Sequence, residues 1–330
     1  MHSRPYGRTG LSVPVLGFGA MQVGAHELDE RHVERLLHHV LDAGLTLIDT
    51  ARSYGLAEAR IGRLLAGRRE EFVLSTKVGY GVPGLRDWTY DCIVAGVDAA
   101  RDRLRTDVID IVHLHSCPLE TLQSEDVVRA LVRCRELGKI RVAAYSGDST
   151  ALAHAVSLST SLTSPTTVGE VARSAGEGSP TSPTTVGEVA RSAGEGSSIF
   201  GGVQASVSLC DQQNLPVLAL ARSRGIGTLA KRSLAGRPWA GGPTGDPVHD
   251  EYRRRFDFVR AAVEVEDWDE FALRFTAYAP GVDCVIVGGT DAANVDRNVA
   301  TIARGPLKLD GQSRVAAVYA THGRDWQGLV

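Results

Sequence analysis

Short apolar runs alternate along this chain with longer segments in which apolar residues recur at every third or fourth position. Short runs bounded by glycine or polar residues predict buried β-strands. Eight such runs lie at residues 15–19, 45–49, 72–77, 108–115, 140–146, 202–207, 226–231 and 283–288. The alternation predicts a parallel α/β fold, and eight strands with intervening helices fit a single-domain (β/α)8 TIM barrel over residues 1–330.

The longer segments have the spacing of amphipathic helices. Residues 30–41 carry apolar side chains at i, i+3, i+4 and i+7, and residues 91–104 and 125–136 repeat this pattern. A doubly wound open sheet is the alternative architecture. It is disfavoured because no GxGxxG motif joins the first strand to the first helix, and the GxG of residues 17–19 is a weak signal.

One stretch interrupts the alternation. Residues 164–179, with the sequence SPTTVGEVARSAGEGS, recur letter for letter at residues 182–197. Two identical copies rich in Ser, Thr, Gly and Pro predict a tandem duplication of low complexity in a tolerated loop, within an insert at residues 160–197. The insert connects a helix to a strand, so a barrel would place it on the bottom face, opposite the active-site end.

Composition excludes several classes of protein. The chain has 330 residues, 43% of them hydrophobic, and a formal net charge of -3, which argues against a nucleic-acid or anionic-membrane surface. No apolar run approaches the roughly 20 residues of a membrane helix, and the first residues lack the apolar core of a signal peptide. The five cysteines have no CxxC spacing, so neither a metal site nor a disulfide framework is expected. We therefore expect a cytoplasmic protein.

Four chemically useful residues end or follow three predicted strands: Asp49, Tyr54, Lys77 and His115. In a barrel, the C-terminal strand ends meet at one rim. A phenol is too weak an acid to act at neutral pH unless its anion is stabilised, and a neighbouring ammonium does this. Lys77 could so assist Tyr54, with Asp49 as its counter-ion and His115 orienting a substrate carbonyl. Such a set of residues suits the reduction of a carbonyl group. No amino acid supplies the hydride that this reduction needs, so a cofactor must supply it.

His113 is a second candidate for the role of His115, because residues two positions apart on a strand point to the same face. His115 lies nearer the rim, and we therefore expect His113 to lie one layer deeper in the barrel interior.

The order and spacing of these residues resemble the aldo-keto reductase family, whose tetrad is Asp, Tyr, Lys and His. The motifs are Asp49-Thr50-Ala51, Ser53-Tyr54-Gly55, Lys77, and Asp110 followed five residues later by His115. The resemblance runs from about residue 7 to about residue 305. It implies reduction of a small-molecule aldehyde or ketone with NADP(H), NAD(H) being the alternative cofactor, and Tyr54 as the general acid.

The resemblance also implies a set of residues for an extended dinucleotide across the barrel top. Ser146 and Gln204 would contact the nicotinamide carboxamide, residues 231–234 the pyrophosphate and nicotinamide, and residues 288–298 the adenosine phosphate. The full set is Gly19, Met21, Ser146, Gln204, Lys231, Arg232, Ser233, Leu234, Gly288, Gly289, Thr290, Asn294 and Asn298.

Three positions depart from the family pattern. Gly147-Asp148 stands where an Asn usually follows Ser146, and Lys231 stands where an aromatic residue often stacks on nicotinamide. Asn294 stands where an Arg often binds the 2′-phosphate of NADP(H). Arg232 or Arg297 could compensate, so NADPH is expected over NADH.

Two other hypotheses remain open. One is a non-catalytic barrel that binds the cofactor and serves as a sensor or accessory subunit. The other is a (β/α)8 enzyme that uses Lys77 as a Schiff-base amine. The sequence specifies neither the particular carbonyl substrate nor an oligomeric state.

Overall fold

The computed structural model describes residues 1–158, 198–323, 326, 328 and 329, so the predicted duplication lies outside the described residues. An antiparallel hairpin of β1 (Ser3–Pro5) and β2 (Ser12–Pro14) precedes a closed barrel of eight parallel strands. The barrel strands are β3 (Leu16–Gly19), β4 (Leu47–Asp49), β5 (Val73–Val78), β6 (Ile109–His115), β7 (Ile140–Ser146), β8 (Gly202–Ser206), β9 (Gly227–Lys231) and β10 (Cys284–Gly288). They pair in chain order, and β10 closes the barrel against β3.

Helices cover the outside of the barrel. Within the described residues they are α1 (Glu30–Asp42), α2 (Ala57–Leu64), α3 (Tyr90–Leu104), α4 (Leu119–Gln123), α5 (Asp126–Glu136), α6 (Ser149–Ser157), α7 (Leu215–Ser223), α8 (Pro247–Ala262), α9 (Trp268–Ala277), α10 (Ala292–Ala303) and α11 (Leu309–His322). Among these helices, none combines the length and the apolar character that a membrane crossing requires.

The first helix shows how the sequence sets these elements. The Asp29 carboxylate accepts a hydrogen bond from the His32 backbone N–H at 2.9 Å, which satisfies a free donor at the start of α1. The apolar face predicted from the spacing is buried against the barrel: Val33, Leu36, Leu37 and Val40. Burial of this face, rather than intrinsic propensity, supplies most of the stability of such a helix.

Tyr6 fills the N-terminal mouth of the barrel. Its side chain is fully buried, and it lies so close to Gly202 and Gly227 that a Cβ at either glycine would overlap the ring. Strands β8 and β9 therefore begin with glycine, and the barrel is closed at this end. The open end is the one where the strands finish.

The structure confirms the predicted barrel and all eight predicted strands, each within two residues of its expected limits. The hairpin was not anticipated, because strands of three residues carry too little pattern.

The described chain stops after α6 and resumes before β8, and its two ends there lie next to each other. The Ile199 backbone N–H donates to the Leu158 carbonyl at 3.3 Å, and the Ser198 hydroxyl reaches the same oxygen at 3.5 Å. Both residues lie at the N-terminal end of the barrel, which is the end at which the insert is expected.

Candidate active site

The four predicted chemical residues lie together at the C-terminal end of the barrel. Asp49 ends β4, Lys77 lies near the end of β5 and His115 ends β6. Tyr54 lies in the loop that follows β4. Adjacent parallel strands bring these ends to one rim, as the strand pattern predicts.

Lys77 is the centre of the group. Its ammonium is buried and donates to the Asp49 Oδ2 at 2.6 Å, to the Thr50 carbonyl at 2.8 Å and to the Tyr54 hydroxyl at 3.4 Å. Burial lowers the pKa of Lys77, but the Asp49 carboxylate and the Tyr54 phenol together outweigh it, and the net pKa is raised. Lys77 therefore stays charged at neutral pH.

Asp49 is held on both carboxylate oxygens. Its Oδ1 accepts hydrogen bonds from the Ser75 hydroxyl at 2.8 Å and the Gln204 amide at 3.0 Å. Its Oδ2 accepts one from the Lys77 ammonium. Burial raises the pKa of Asp49, yet Lys77, His113 and these hydrogen bonds together hold it below its ordinary value. Asp49 and Lys77 thus form a buried ion pair, and further hydrogen bonds satisfy the carboxylate oxygen that does not contact Lys77.

The Tyr54 phenol responds to two opposing influences. Burial raises its pKa above the ordinary value, and the Lys77 ammonium lowers it by a smaller amount. The phenol is therefore protonated at neutral pH. Lys77 still favours the phenolate once a proton has left, which is the assistance that the sequence predicts.

His115 lies beside Tyr54 and Tyr80. Its ring meets the Tyr54 ring edge-on, with centroids 6.1 Å apart, and stacks on the Tyr80 ring at 5.5 Å. The Tyr80 hydroxyl lies 2.8 Å from the His115 Nδ1. Burial, and then the Lys77 charge, lower the pKa of His115 to about 3, so its imidazole is neutral at physiological pH.

His113 lies in the barrel interior, as expected. It is fully buried, its Nε2 lies 3.1 Å from the Ser75 hydroxyl, and burial lowers its pKa to about 4. Ser75 thereby joins His113 to Asp49.

Sequence reasoning missed two members of this network, Ser75 and Tyr80. Ser75 lies two residues before Lys77 on β5 and so shares its face, which is a usable signal. Tyr80 follows Lys77 by three residues in an irregular loop, where no periodicity predicts a direction.

The implied nicotinamide contacts, Ser146 and Gln204, are partners in register on β7 and β8. The Ser146 hydroxyl donates to the Gln204 carbonyl oxygen at 2.9 Å, and the Gln204 amide donates to Asp49. Both side chains are buried at the rim and join the tetrad through hydrogen bonds.

Lys231, at the end of β9, forms an ion pair with Asp148, and Nζ lies 3.4 Å from Oδ2. Burial lowers the pKa of Lys231, while Asp148 acts in the opposite direction. The next three implied residues follow in the loop. Arg232 donates to the Leu329 carbonyl, Ser233 has a buried hydroxyl without a partner in the described chain, and Leu234 packs at the core edge.

The remaining implied residues occupy the opposite arc of the rim. Gly19 ends β3 and pairs in register with Gly288 at the end of β10, while Met21 is exposed nearby. The Thr290 carbonyl lies 2.7 Å from the His32 Nε2. Four members line one depression at the start of α10: Gly288, Gly289, Asn294 and Asn298. The strands thus bring all the implied positions to one end of the barrel.

Comparisons with known proteins agree with this geometry. Residues 15–168 match the model of the aldo/keto reductase family. A probable voltage-gated potassium channel subunit beta from Arabidopsis thaliana is 34% identical over 138 residues, which are 40% of this chain and 42% of that protein. A 6-dehydroglucose reductase from Novosphingobium aromaticivorans is 30% identical over 154 residues, 43% of this chain and 50% of that protein. The chain therefore spans about half the length of these curated relatives.

Solved structures extend the likeness to the whole barrel. The holo form of an aldo-keto reductase from Bacillus halodurans superposes with a TM-score of 0.73 at 22% identity and covers 96% of each chain. At that identity the superposition shows the fold. The match over residues 15–168 shows that the first half of the chain is similar to the aldo/keto reductase family, and the superposition shows that the whole barrel has the fold of an aldo-keto reductase.

Proposed function

We propose that this chain reduces aldehydes or ketones to alcohols with NADP(H), NAD(H) being the second possible cofactor. The observation that carries the proposal is the position of the Lys77 ammonium, 2.6 Å from the Asp49 carboxylate and 3.4 Å from the Tyr54 hydroxyl. A protonated phenol beside a buried cation is suited to donate a proton to a developing alkoxide.

Each residue has a proposed role in that step. Tyr54 donates its proton to the carbonyl oxygen, and Lys77 stabilises the phenolate that remains. Asp49 keeps Lys77 charged and fixed, because it holds the ammonium within the barrel. The Ser75 and Gln204 hydrogen bonds fix Asp49 in turn.

His115 is proposed to orient the substrate carbonyl. Its imidazole is neutral, so one ring nitrogen carries a proton. When Tyr80 donates to Nδ1, that proton lies on Nε2, which can then donate a hydrogen bond to the carbonyl oxygen.

The cofactor-binding residues are proposed to be those implied by the family resemblance. A bound nicotinamide supplies the hydride. The buried Ser233 hydroxyl, which has no partner in the described chain, supports a polar ligand at the loop after β9. Gly288, Gly289, Asn294 and Asn298 line one depression at the other arc, which supports the adenosine end of the cofactor there. The Asp291 carboxylate caps α10 by accepting from the Ala293 backbone N–H at 2.9 Å, so this end relies on neutral polar groups.

A Schiff-base role for Lys77 is less consistent with the geometry. That chemistry needs a neutral amine, and the Lys77 ammonium is charged and held by three hydrogen-bond contacts. An accessory-subunit role has one supporting observation, the similarity to the probable potassium channel subunit beta from Arabidopsis thaliana. The contact between Lys77 and Tyr54 favours catalysis over that second candidate.

The test is NADPH oxidation by the purified full chain with a panel of aldehydes and ketones, comparing wild type with Tyr54→Phe. The matched control is Tyr278→Phe, since the Tyr278 hydroxyl bonds the Ile302 carbonyl at 2.8 Å, away from the rim. We expect Tyr54→Phe to lower turnover by about 10²–10⁴-fold with cofactor affinity retained. Turnover within tenfold of wild type would show that Tyr54 is not the acid. A wild type that binds NADPH tightly but oxidises none would favour the accessory role.

A further inference from the structure

A second cavity lies at the N-terminal end of the barrel, opposite the rim that holds Lys77. We call it the arginine cavity, and its volume is about 250 Å³. The residues around it come from the turn between β1 and β2, from the starts of β7, β8 and β9 and from the neighbouring helix ends. They include four arginines and no Asp or Glu: Arg8, Arg135, Arg141 and Arg224.

Hydrogen bonds to backbone carbonyls hold the guanidinium groups of Arg135 and Arg224 in place without neutralising their charge. Arg135 donates to the Ile199 carbonyl at 3.3 Å, and Arg224 donates to the Val156 carbonyl at 2.9 Å. Both acceptors are neutral. A guanidinium has five N–H donors, so one bond to a carbonyl leaves most of them available.

Arg8 reaches the cavity over Gly225. A Cβ at Gly225 would lie 2.6 Å from the Arg8 Cδ, and Gly225 has a φ of +75°. Glycine at this position therefore provides both the turn and the space in which the arginine side chain lies.

The local charge is not balanced by carboxylates. Arg141 contacts the Asp110 Oδ1 at 3.2 Å, but Asp110 also pairs with Arg69 at 2.7 Å. Within the described part of the chain, no carboxylate lies within 4.0 Å of the side-chain nitrogens of Arg8, Arg135 or Arg224. The whole chain carries a net charge of -3, so this concentration of positive charge is local.

We propose that the arginine cavity binds a phosphate group, either as inorganic phosphate or on a small phosphorylated molecule. Guanidinium groups pair with phosphate oxygens through parallel hydrogen bonds, and they do so better than lysine ammonium groups. The cavity is smaller than the roughly 300–1,000 Å³ of pockets for drug-sized ligands. It therefore suits one phosphate or a diphosphate and not a whole dinucleotide.

The experiment is calorimetric titration of the full chain with inorganic phosphate, pyrophosphate and glycerol 3-phosphate in a chloride buffer. The test variant is Arg8→Gln/Arg224→Gln. The matched control is Arg129→Gln/Arg133→Gln, which removes the same charge from two exposed arginines on α5. Lys231→Met, at the other end of the barrel, controls for phosphate binding at the proposed cofactor site.

We expect wild type, Arg129→Gln/Arg133→Gln and Lys231→Met to bind within threefold of one another, and the test variant to bind at least tenfold more weakly. Arg8→Gln alone should also weaken binding, and the Arg8 guanidinium makes no hydrogen bond within the described residues that its loss could break. Thermal unfolding checks that each variant is folded. Tighter binding of inorganic phosphate would identify the free ion as the ligand, and tighter binding of glycerol 3-phosphate a phosphate ester.

Equal affinity in wild type and a folded Arg8→Gln variant would overturn the proposal. So would binding that only Lys231→Met abolishes, or no heat from any probe. Tight binding of a DNA duplex without binding of the small probes would also overturn it, because the surface would then recognise a polyanion.

Discussion

Asp148 and Lys231 form an ion pair across the ends of β7 and β9, with Oδ2 and Nζ 3.4 Å apart. Both are positions at which the chain departs from the aldo-keto reductase pattern. The Asp148 carboxylate also accepts hydrogen bonds from the Ser206 backbone N–H at 2.7 Å and the Asn214 amide at 2.8 Å. The two departures are therefore coupled, since the carboxylate after β7 balances the ammonium after β9.

This geometry predicts unequal effects of removing the two partners. Asp148→Asn leaves Lys231, whose side chain is 20% exposed, without its counter-ion and also weakens three other hydrogen bonds. We expect a loss of about 3 kcal/mol in the free energy of unfolding, measured with urea. Lys231→Met should cost about 1–2 kcal/mol, because Asp148 keeps its bonds to Ser206 and Asn214.

Lys139→Met serves as the control for this pair, because the Lys139–Asp98 ion pair is more exposed and should cost less than about 1 kcal/mol. A Lys231→Met variant less stable than Asp148→Asn would contradict the proposed order.

Lys77→Met should lower turnover at least as much as Tyr54→Phe and should also destabilise the fold. It removes the cation beside the phenol and leaves Asp49 as an uncompensated buried charge, at a cost of about 3–5 kcal/mol. Tyr54→Phe should keep nearly the stability of wild type. Paired turnover and urea-denaturation measurements test this contrast. A Lys77→Met variant as stable as wild type would show that the ion pair does not support the barrel.

The histidine at the rim predicts a pH dependence of stability. The folded-state pKa of His115 is about 3, below its ordinary value near 6.5, so only the unfolded chain gains this proton between those values. Stability from this group is therefore complete above about pH 6.5 and falls as the pH is lowered towards 3. Between pH 7 and pH 5, wild type should lose about 1–2 kcal/mol more than His115→Gln.

The pH profile of wild type must be compared with that of His115→Gln, because Asp211 changes the stability of both proteins with pH in the opposite direction. Burial raises its pKa to about 6, so its contribution to stability grows as the pH falls through that value. Parallel pH profiles for wild type and His115→Gln would refute the assignment of a depressed pKa to His115.

Cofactor choice is predicted to favour NADPH over NADH. The Arg232 guanidinium already donates to the Leu329 carbonyl, whereas Arg297 is exposed on α10 near the glycine turn. We therefore expect Arg297→Gln to weaken NADPH binding several-fold and to leave NADH binding unchanged in fluorescence titrations. Arg260→Gln, an exposed change on α8, is the control. Equal or tighter binding of NADH by wild type would mean that Asn294 decides the preference.

Deletion of residues 164–181, one copy of the repeat, should leave reductase activity intact. The residues that flank the insert meet through the hydrogen bond between Ile199 and Leu158, at the end of the barrel away from Tyr54. Loop-closure cost also changes only slowly with length. Turnover and light-scattering mass of the deleted protein test this. A loss of turnover in a folded protein would place the insert at the rim, and a change in mass would indicate that the repeats hold a partner or second subunit.

The sequence predicts the barrel because the periodicity of strands and helices is local, and it points to the tetrad because the predicted strand ends and the family resemblance select the same residues. Where a strand ends determines which rim a residue joins, and this placed Asp49, Lys77 and His115 correctly. Other contacts depend on the curvature of the closed barrel. The hydrogen bond from Gln204 to Asp49 joins residues 155 positions apart, and the Asp148–Lys231 pair needs two loops to converge. The fit of Tyr6 against Gly202 and Gly227 is likewise visible only in three dimensions.

The hydrogen bond from Gln204 to Asp49 also bears on how the chain acquires its chemistry. All four proposed chemical residues lie within the first 115 positions, but Gln204 belongs to the second half of the barrel. An isolated first half would contain every reactive side chain and still lack the restraint that fixes the carboxylate. The site is therefore a product of barrel closure, and it reaches its final geometry only when the later strands join the earlier ones.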